Sequence, residues 1–315
     1  MTSRLVIAPN WIGDAVMSLP VLRALRRGHP GARLAVLARR GPAAVYRAEG
    51  SAGEVLERGS FLGDVRSLRS GRFDEVWLLP NSLNAALVAF FSGAPRRLGY
   101  STDSRGALLT DALAPPPQNV HQLRDYDALL RHAGVEPDPD PPRLPISKAA
   151  AERAHAALNA AWQSAALDGA RVPNGFVALC PGSATAPEKR WPAERYATLA
   201  RVLAASGIPC VVAVGPAEGG LGRAIAEAAA LPLPVIGADL DPVELAAVLA
   251  SARAVASNDS GPAHLAAAVG TPTVVFFGPT DPRRTAPTGG RVRVLERMGE
   301  VTTEDAVRAV EELLR

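Results

Sequence analysis

Asn258-Asp259-Ser260-Gly261-Pro262-Ala263-His264 stands between two apolar runs. Before it, Ala254-Val255-Ala256-Ser257 reads as the end of a buried strand. After it, Leu265-Ala266-Ala267-Ala268-Val269 reads as helix closed by Gly270, and Pro272-Thr273-Val274-Val275-Phe276-Phe277-Gly278 as the next strand. Strand, short polar turn, helix and strand make a βαβ unit. In open parallel sheets, ligands bind at the carboxyl ends of strands, where this turn sits. Its groups suit a sugar nucleotide. The amides of Ser260 and Gly261 can face an anion at the helix start. Gly261 lets the backbone approach closely, and Asp259 can accept hydrogen bonds from hydroxyls. Asp259 or Ser260 can equally serve as a helix cap and nothing more.

The same alternation runs outward in both directions. In the first half, strands are expected at 5–9, 34–38, 54–56, 74–79 and 96–100. Helices are expected at 15–27, 42–48, 83–91 and 121–132; the one at 83–91 is apolar almost all round and is expected to be buried. Pro137, Pro139, Pro141, Pro142 and Pro145 then exclude regular helix or central strand, which places a hinge there. Ser147 can cap a helix running to about residue 162. The second half has strands expected at 176–180, 210–214, 234–236, 253–257 and 273–277, and helices at 192–205, 218–230, 242–251 and 261–269. A last helix, 302–314, puts Ala306, Val310 and Leu313 on one face and can pack back on the first half. The expected fold class is α/β: two Rossmann-like domains, 1–150 and 151–315, facing a central cleft.

Composition bounds the function. At 315 residues, two domains are the natural division. A net charge of +3 suits an anionic small ligand and is too weak to argue for nucleic acid. Of 34 basic residues only Lys148 and Lys189 are lysine, so a lysine that persists here invites a chemical reason. Cys180 and Cys210 each border an apolar run, read as buried free thiols, and lack metal-ligand spacing. The sequence shows no signal peptide before the first strand and no run of 18 apolar residues, so a cytoplasmic protein is expected, with peripheral membrane contact allowed.

Three further turns carry chemistry. Gly13-Asp14 ends the first βα turn, with Trp11 and Ile12 placed to shield the carboxylate. Asp14 there suits a general base, or caps the helix. The richest loop is Cys180-Pro181-Gly182-Ser183-Ala184-Thr185-Ala186-Pro187-Glu188-Lys189-Arg190-Trp191-Pro192. Gly182 permits a tight turn, Ser183 and Thr185 offer hydroxyls, and Lys189 offers a cation for a diphosphate. Its Gly-to-Lys spacing is not that of a Walker loop. Glu218, ending the next strand turn, can accept from a ribose diol or sit in a helix's first turn. In the first half Arg96, Arg97, His121 and Arg124 are candidates to meet an anionic acceptor. A Gly-x-Ser-x-Gly elbow, a Cys/His cluster and a Gly-x-Gly-x-x-Gly after the first strand are all missing, which disfavours serine hydrolysis and hydride transfer.

These residues together resemble a known family. Asn10-Trp11-Ile12-Gly13-Asp14-Ala15-Val16-Met17-Ser18-Leu19-Pro20 is similar to the opening of the ADP-heptose:lipopolysaccharide heptosyltransferases, glycosyltransferase family 9, and its Trp-Ile-Gly-Asp form is most like type II members. The Pro181-Gly182 loop with Lys189-Arg190-Trp191-Pro192, and Asn258 to His264, resemble the family's donor-side motifs; Phe277-Gly278-Pro279-Thr280 continues the likeness. One departure is that Gly289-Gly290-Arg291-Val292-Arg293-Val294-Leu295 runs almost directly into Thr302 without the cysteine-containing segment usual in type II. The resemblance implies a GT-B fold and an inverting, metal-independent transfer from ADP-L-glycero-D-manno-heptose, with no cofactor. It implies the phosphorylated inner core of lipopolysaccharide as acceptor, at the cytoplasmic face of the inner membrane. It makes Asp14 the base, gives the diphosphate to Lys189, Ser183 and Thr185, the ribose to Glu218, and the heptose and phosphate to Asp259, Ser260 and Gly261. His264 is expected to have a cap or packing role. Two other readings keep the fold: a sugar-nucleotide epimerase, and a non-catalytic binder of nucleotide sugars.

Overall fold

The computed structural model describes residues 2–165, 172, 175–184 and 186–315. The chain forms two compact units, Met1–Pro142 and Arg143–Arg315. The division falls inside the proline-rich segment, and Leu144 already hydrogen-bonds the Ala268 carbonyl within the second unit.

In the first unit the strands are β1 (Ser3–Ile7), β2 (Arg33–Ala38), β3 (Glu54–Glu57), β4 (Glu75–Leu78), β5 (Arg96–Tyr100) and β6 (Asp111–Leu113). Its helices are α1 (Ile12–Gly28), α2 (Arg40–Glu49), α3 (Phe61–Gly71), α4 (Leu83–Ser92) and α5 (Gln122–His132). The sheet order is β3-β2-β1-β4-β5-β6 and every pairing is parallel. In the second unit α6 (Lys148–Ser164) precedes β7 (Val177–Cys180), α7 (Ala193–Ala205), β8 (Cys210–Ala213), α8 (Gly219–Ala229), β9 (Val235–Ile236) and α9 (Pro242–Ala250). Then come β10 (Ala254–Asn258), α10 (Gly261–Ala268), β11 (Thr273–Phe276), α11 (Pro282–Thr285), β12 (Val292–Leu295) and α12 (Thr303–Leu314). The order is β12-β11-β10-β7-β8-β9, again parallel throughout.

The central strands are short Val/Leu/Ile/Ala runs because helices cover both sheet faces, leaving no polar side. β1, β7 and β10 are buried along their whole lengths. Each order reverses once, between β1 and β4 and between β7 and β10. At such a switch point the loops leave in opposite directions and open a crevice at the carboxyl ends. Asp14 follows β1, the 181–190 loop follows β7, and Asp259 follows β10.

Several expectations change. β6, β12 and α3 escape the sequence pattern: β6 has three residues, β12 is an edge strand of alternating Val and Arg, and α3 is diluted by Gly63, Ser67 and Ser70. Helix α4 is not buried all round: Ala85, Ala86, Val88 and Ala89 face the core, while Leu83, Phe90 and Phe91 face solvent. The last helix packs on α7, β10 and β11 of its own unit, with Ala306, Ala309 and Val310 in that core. Cys180 and Cys210 are free and buried as expected, and burial pushes both thiols up to about 12.

The amino edge of the first sheet is closed by charge. The Arg4 guanidinium donates to Glu75 at 2.6 Å, and Arg96 joins Glu75 and Asp111 at 3.2 and 3.0 Å. Burial opposes ionisation of Glu75, but the donors on Arg4, Trp77 and Arg96 outweigh it and hold the carboxyl below the usual range. Such a group stabilises the fold above its unfolded pKa, and that contribution is lost as pH falls through the folded value. Glu75→Gln is therefore expected to cost about 2 kcal/mol at neutral pH. The gap from the parent protein should narrow below about pH 4, which denaturant titration at both pH values measures.

Candidate active site

At the carboxyl end of β1 the chain turns through Trp11 into α1. Trp11 occupies the cap position and its side chain caps nothing, so Asp14 is the third helical residue and not the cap. The helix start still favours its negative charge. Trp11 is 54 % exposed, and a polar neighbour holds the half-buried carboxylate: Gln122 Nε2 donates to Asp14 Oδ1 at 3.3 Å. The same amide nitrogen donates to the Tyr126 hydroxyl at 2.9 Å. Tyr46 and Ser18 share a hydrogen bond of 2.7 Å beneath. Burial, and after it the Asp14 charge, raise the Tyr126 phenol well above its ordinary value, so it stays protonated. Gln122 and Tyr126 sit on one face of an amphipathic helix, and no sequence pattern ties that face to Asp14, over a hundred residues away.

The loop after β4 is shaped by Arg105, which is fully buried. It donates to the carbonyls of Tyr100, Pro80 and Ser82 and to Asn81 Oδ1. Burial lowers its pKa. Nothing in the sequence distinguishes it from the other arginines.

In the second unit, two neighbouring loops are stapled together. Asn258 has no exposed surface. Its Oδ1 accepts from the Trp191 amide and the Tyr196 hydroxyl, both at 3.0 Å, and its Nδ2 donates to the Pro181 carbonyl at 2.6 Å. Trp191 stacks on Phe276 at 4.4 Å and meets Tyr196 edge to face. This aromatic cluster fixes where the 181–190 loop re-enters the core. On that frame, Lys189 Nζ lies 2.8 Å from Asp259 Oδ2, which also accepts from Thr280 Oγ1 at 2.6 Å. Asp259 is 6 % exposed. Ser260 is extended, and its side chain caps nothing at the start of α10. Among the described residues, no acceptor takes the amides of Ser260 and Gly261. An anion seated there would meet two amides, a helix N-terminus and one lysine.

Glu218 ties two loops together. Its carboxylate accepts from the Ser183 amide at 2.8 Å, the Arg190 guanidinium at 3.0 Å and the Gly215 amide at 3.1 Å. It joins the β7 and β8 loops, and among the described residues its Oε2 takes only the Gly215 amide. Ser183 is buried at 6 %, with its backbone carbonyl held by Arg190. A methyl group at Gly182 would overlap the Glu218 carboxylate. Gly182→Ala is expected to push Glu218 off its donors and lower stability by about 1–3 kcal/mol, as denaturant titration would show. Thr185 lies outside the described residues. His264 is buried in α10.

The four expected acceptor residues fall in two places, Arg96 and Arg97 on β5, His121 and Arg124 at the start of α5 beside Gln122. Arg96 starts β5 beside Glu75, at the amino edge of the sheet, while Asp14 follows the carboxyl end of β1. Its charge is satisfied by Glu75 and Asp111. The Arg97 guanidinium donates to the carbonyls of Leu108 and Ala94 and lies over the Phe90 ring. His121 caps α5 through its ring nitrogen, and Arg124 pairs with Asp127. Arginines at strand starts look alike in sequence whether they close a sheet edge or face a ligand.

Comparison with known proteins gives this geometry a family. The model of glycosyltransferase family 9 (heptosyltransferase) matches residues 64–311. Lipopolysaccharide heptosyltransferase 2 of Salmonella typhimurium is 30% identical over 315 residues, covering 92% of this chain and 87% of that protein. The solved E. coli ADP-heptose lipopolysaccharide heptosyltransferase II superposes with a TM-score of 0.83 at 27% identity, over 100% of this chain and 98% of that one. An E. coli heptosyltransferase solved with ADP-2-deoxy-2-fluoro heptose shares the fold with a TM-score of 0.73 at 19% identity, each chain 99% covered. Both are enzymes of the GT-B class, whose paired parallel α/β units are those seen here. With a family match spanning most of its length and relatives of like size, the chain belongs to glycosyltransferase family 9, the heptosyltransferases.

Proposed function

We propose that the protein transfers L-glycero-D-manno-heptose from ADP-L-glycero-D-manno-heptose, with inversion, to the phosphorylated inner core of lipopolysaccharide. The observation that carries this reading is the pairing of Lys189 with Asp259 beside the two amides at the start of α10. A diphosphate needs a cation and N–H donors, and a sugar needs a carboxylate for its hydroxyls; two neighbouring strand ends, of β7 and β10, offer all three. In this reading the second unit, Arg143–Arg315, takes the donor, and the first, Met1–Pro142, takes the acceptor.

Asp14 accepts the proton of the acceptor hydroxyl as that oxygen attacks the anomeric carbon. The C–O bond to ADP breaks on the opposite face, so the configuration inverts. Lys189 and the Ser260 and Gly261 amides bind the charge that develops on the leaving diphosphate, and Asp259 positions the heptose. Glu218 and Asn258 act by holding the donor loops in place. The reaction is placed at the cytoplasmic face of the inner membrane, where such an acceptor would be presented.

The test is incubation of the purified chain with ADP-heptose and a panel of truncated core glycolipids, read by mass spectrometry. Gain of one heptose on one core acceptor, with ADP released, is expected. Donor isomerised in the absence of acceptor would replace this reading with the epimerase one, and ADP binding without turnover on any core would replace it with the binder.

A further inference from the structure

Helix α4 carries no charged side chain. Its alanines and Val88 bury one side, and the other side points apolar groups at water. Leu83, Phe90 and Phe91 are 46 %, 43 % and 45 % exposed. With half-buried Leu87 they recur at i, i+4, i+7 and i+8, a single stripe along the helix. A contiguous apolar face of this kind marks a surface that meets something.

The neighbouring helix says what. On α3, Leu62, Arg66 and Arg69 also recur at i, i+4 and i+7, and Leu62 is 74 % exposed. The two helices pack side by side: Phe61 meets Phe91 edge to face at 6.1 Å, and Arg69 Nε donates to the Phe91 carbonyl at 2.8 Å. Arg97 adds a third cation, 5.5 Å from the Phe90 ring centre. The one carboxylate on either helix, Asp64, is 3 % exposed and taken by Arg58 and the Gly59 amide. Among the described residues, Arg66, Arg69 and Arg97 have no carboxylate partner. The face is thus a leucine and phenylalanine stripe bordered by arginines without acids.

We propose that the α3–α4 face docks on an anionic lipid bilayer. Leu62, Leu83, Phe90 and Phe91 enter the headgroup boundary, and Arg66, Arg69 and Arg97 meet lipid phosphates. Arginine suits that place because its guanidinium binds phosphate oxygens in pairs. Apolar insertion plus basic attraction is the physics of interfacial helices. Among the described residues no helix is long and apolar enough to cross a membrane, so such attachment would be peripheral. The heptosyl reading gives this contact a purpose, since its acceptor is lipid-linked, but the contact is measured without donor or acceptor, so the two ideas fail separately.

The experiment is vesicle flotation of the full chain. Phosphatidylcholine vesicles with about one-third phosphatidylglycerol are compared with phosphatidylcholine alone, at low and high salt. The parent protein is expected to bind the anionic vesicles at least about tenfold better and to lose much of that in salt. Leu62→Ser with Phe90→Ser is expected to lower binding at least about tenfold with an unchanged melting temperature. Arg66→Glu with Arg69→Glu is expected to abolish the preference for anionic lipid. The proposal is overturned if the parent protein does not float, or if both paired variants float as it does. It is also overturned if the parent sediments as a dimer that the Leu62/Phe90 pair dissociates, which would assign the face to a second copy.

Discussion

Asp14→Ala is expected to lower kcat for heptosyl transfer by about 10²–10⁴-fold, with donor KM changed less than about threefold. The reason is positional. Asp14 is held at the start of α1 by Gln122, and the carboxylate is not used up as a helix cap. Removing it takes away proton acceptance in the transition state and leaves ADP binding, which the other unit supplies in this reading. Asp14→Asn keeps the shape and the hydrogen bond to Gln122 while removing the charge, and should lose nearly as much rate. A loss below about tenfold for either variant, with the melting temperature intact, is too small for a base. Gln122→Ala separates positioning from catalysis. It keeps the Asp14 carboxylate but removes a donor that orients it, so a kcat loss of about tenfold with unaltered KM is expected. Gln122→Glu puts a second carboxylate beside Asp14. It should raise the pH at which activity falls on the acid side, since like charges disfavour ionisation. A merely structural Gln122 would leave that limb where it was.

How much of this was legible beforehand depends on the reach of the interaction. Local patterns carried the two parallel arrays, because a strand buried on both faces reads as an unbroken Val/Leu/Ile/Ala run. The placement of Asp14, Lys189 and Asp259 was legible because each lies in the segment that follows a buried strand. Lys189 was further marked as one of two lysines among 34 basic residues. Partners across the chain were not legible. Asn258 opened the very motif first quoted, yet its role became visible only when Trp191, Tyr196 and Pro181 surrounded it. Glu218 read as a ribose ligand by its place in a nucleotide fold, and its three internal donors, drawn from two loops, had no local signal. Arg96 read as a ligand for an anion, and the register of β4 against β5 set it beside Glu75 instead. Helix α4 failed for a different reason. Apolar residues all round normally mean burial, and the rule breaks where a surface is kept apolar.

Lys189→Ala is expected to weaken ADP binding by about 10–100-fold, and the cause is twofold. The diphosphate loses its cation. Asp259, whose side chain is 5 % exposed, also loses its counter-ion and, among the described residues, is left with Thr280. A buried, uncompensated carboxylate then faces an incoming polyanion. The second cause can be measured apart from the first. Asp259→Asn in the Lys189→Ala background removes that charge while keeping the shape, so the double variant should bind ADP several-fold better than Lys189→Ala. Asp259→Asn alone releases Lys189 from its 2.8 Å partner, and ADP affinity should hold or rise. Heptose transfer should nonetheless fall by about tenfold or more, because the sugar loses the acceptor for its hydroxyls. Residues in direct contact do not act additively, and the sign of the coupling is the informative quantity. Strict additivity in calorimetry would mean that Lys189 and Asp259 bind the donor independently. A double variant weaker than Lys189→Ala would mean that Asp259 itself helps hold the diphosphate end, against the division of labour proposed here.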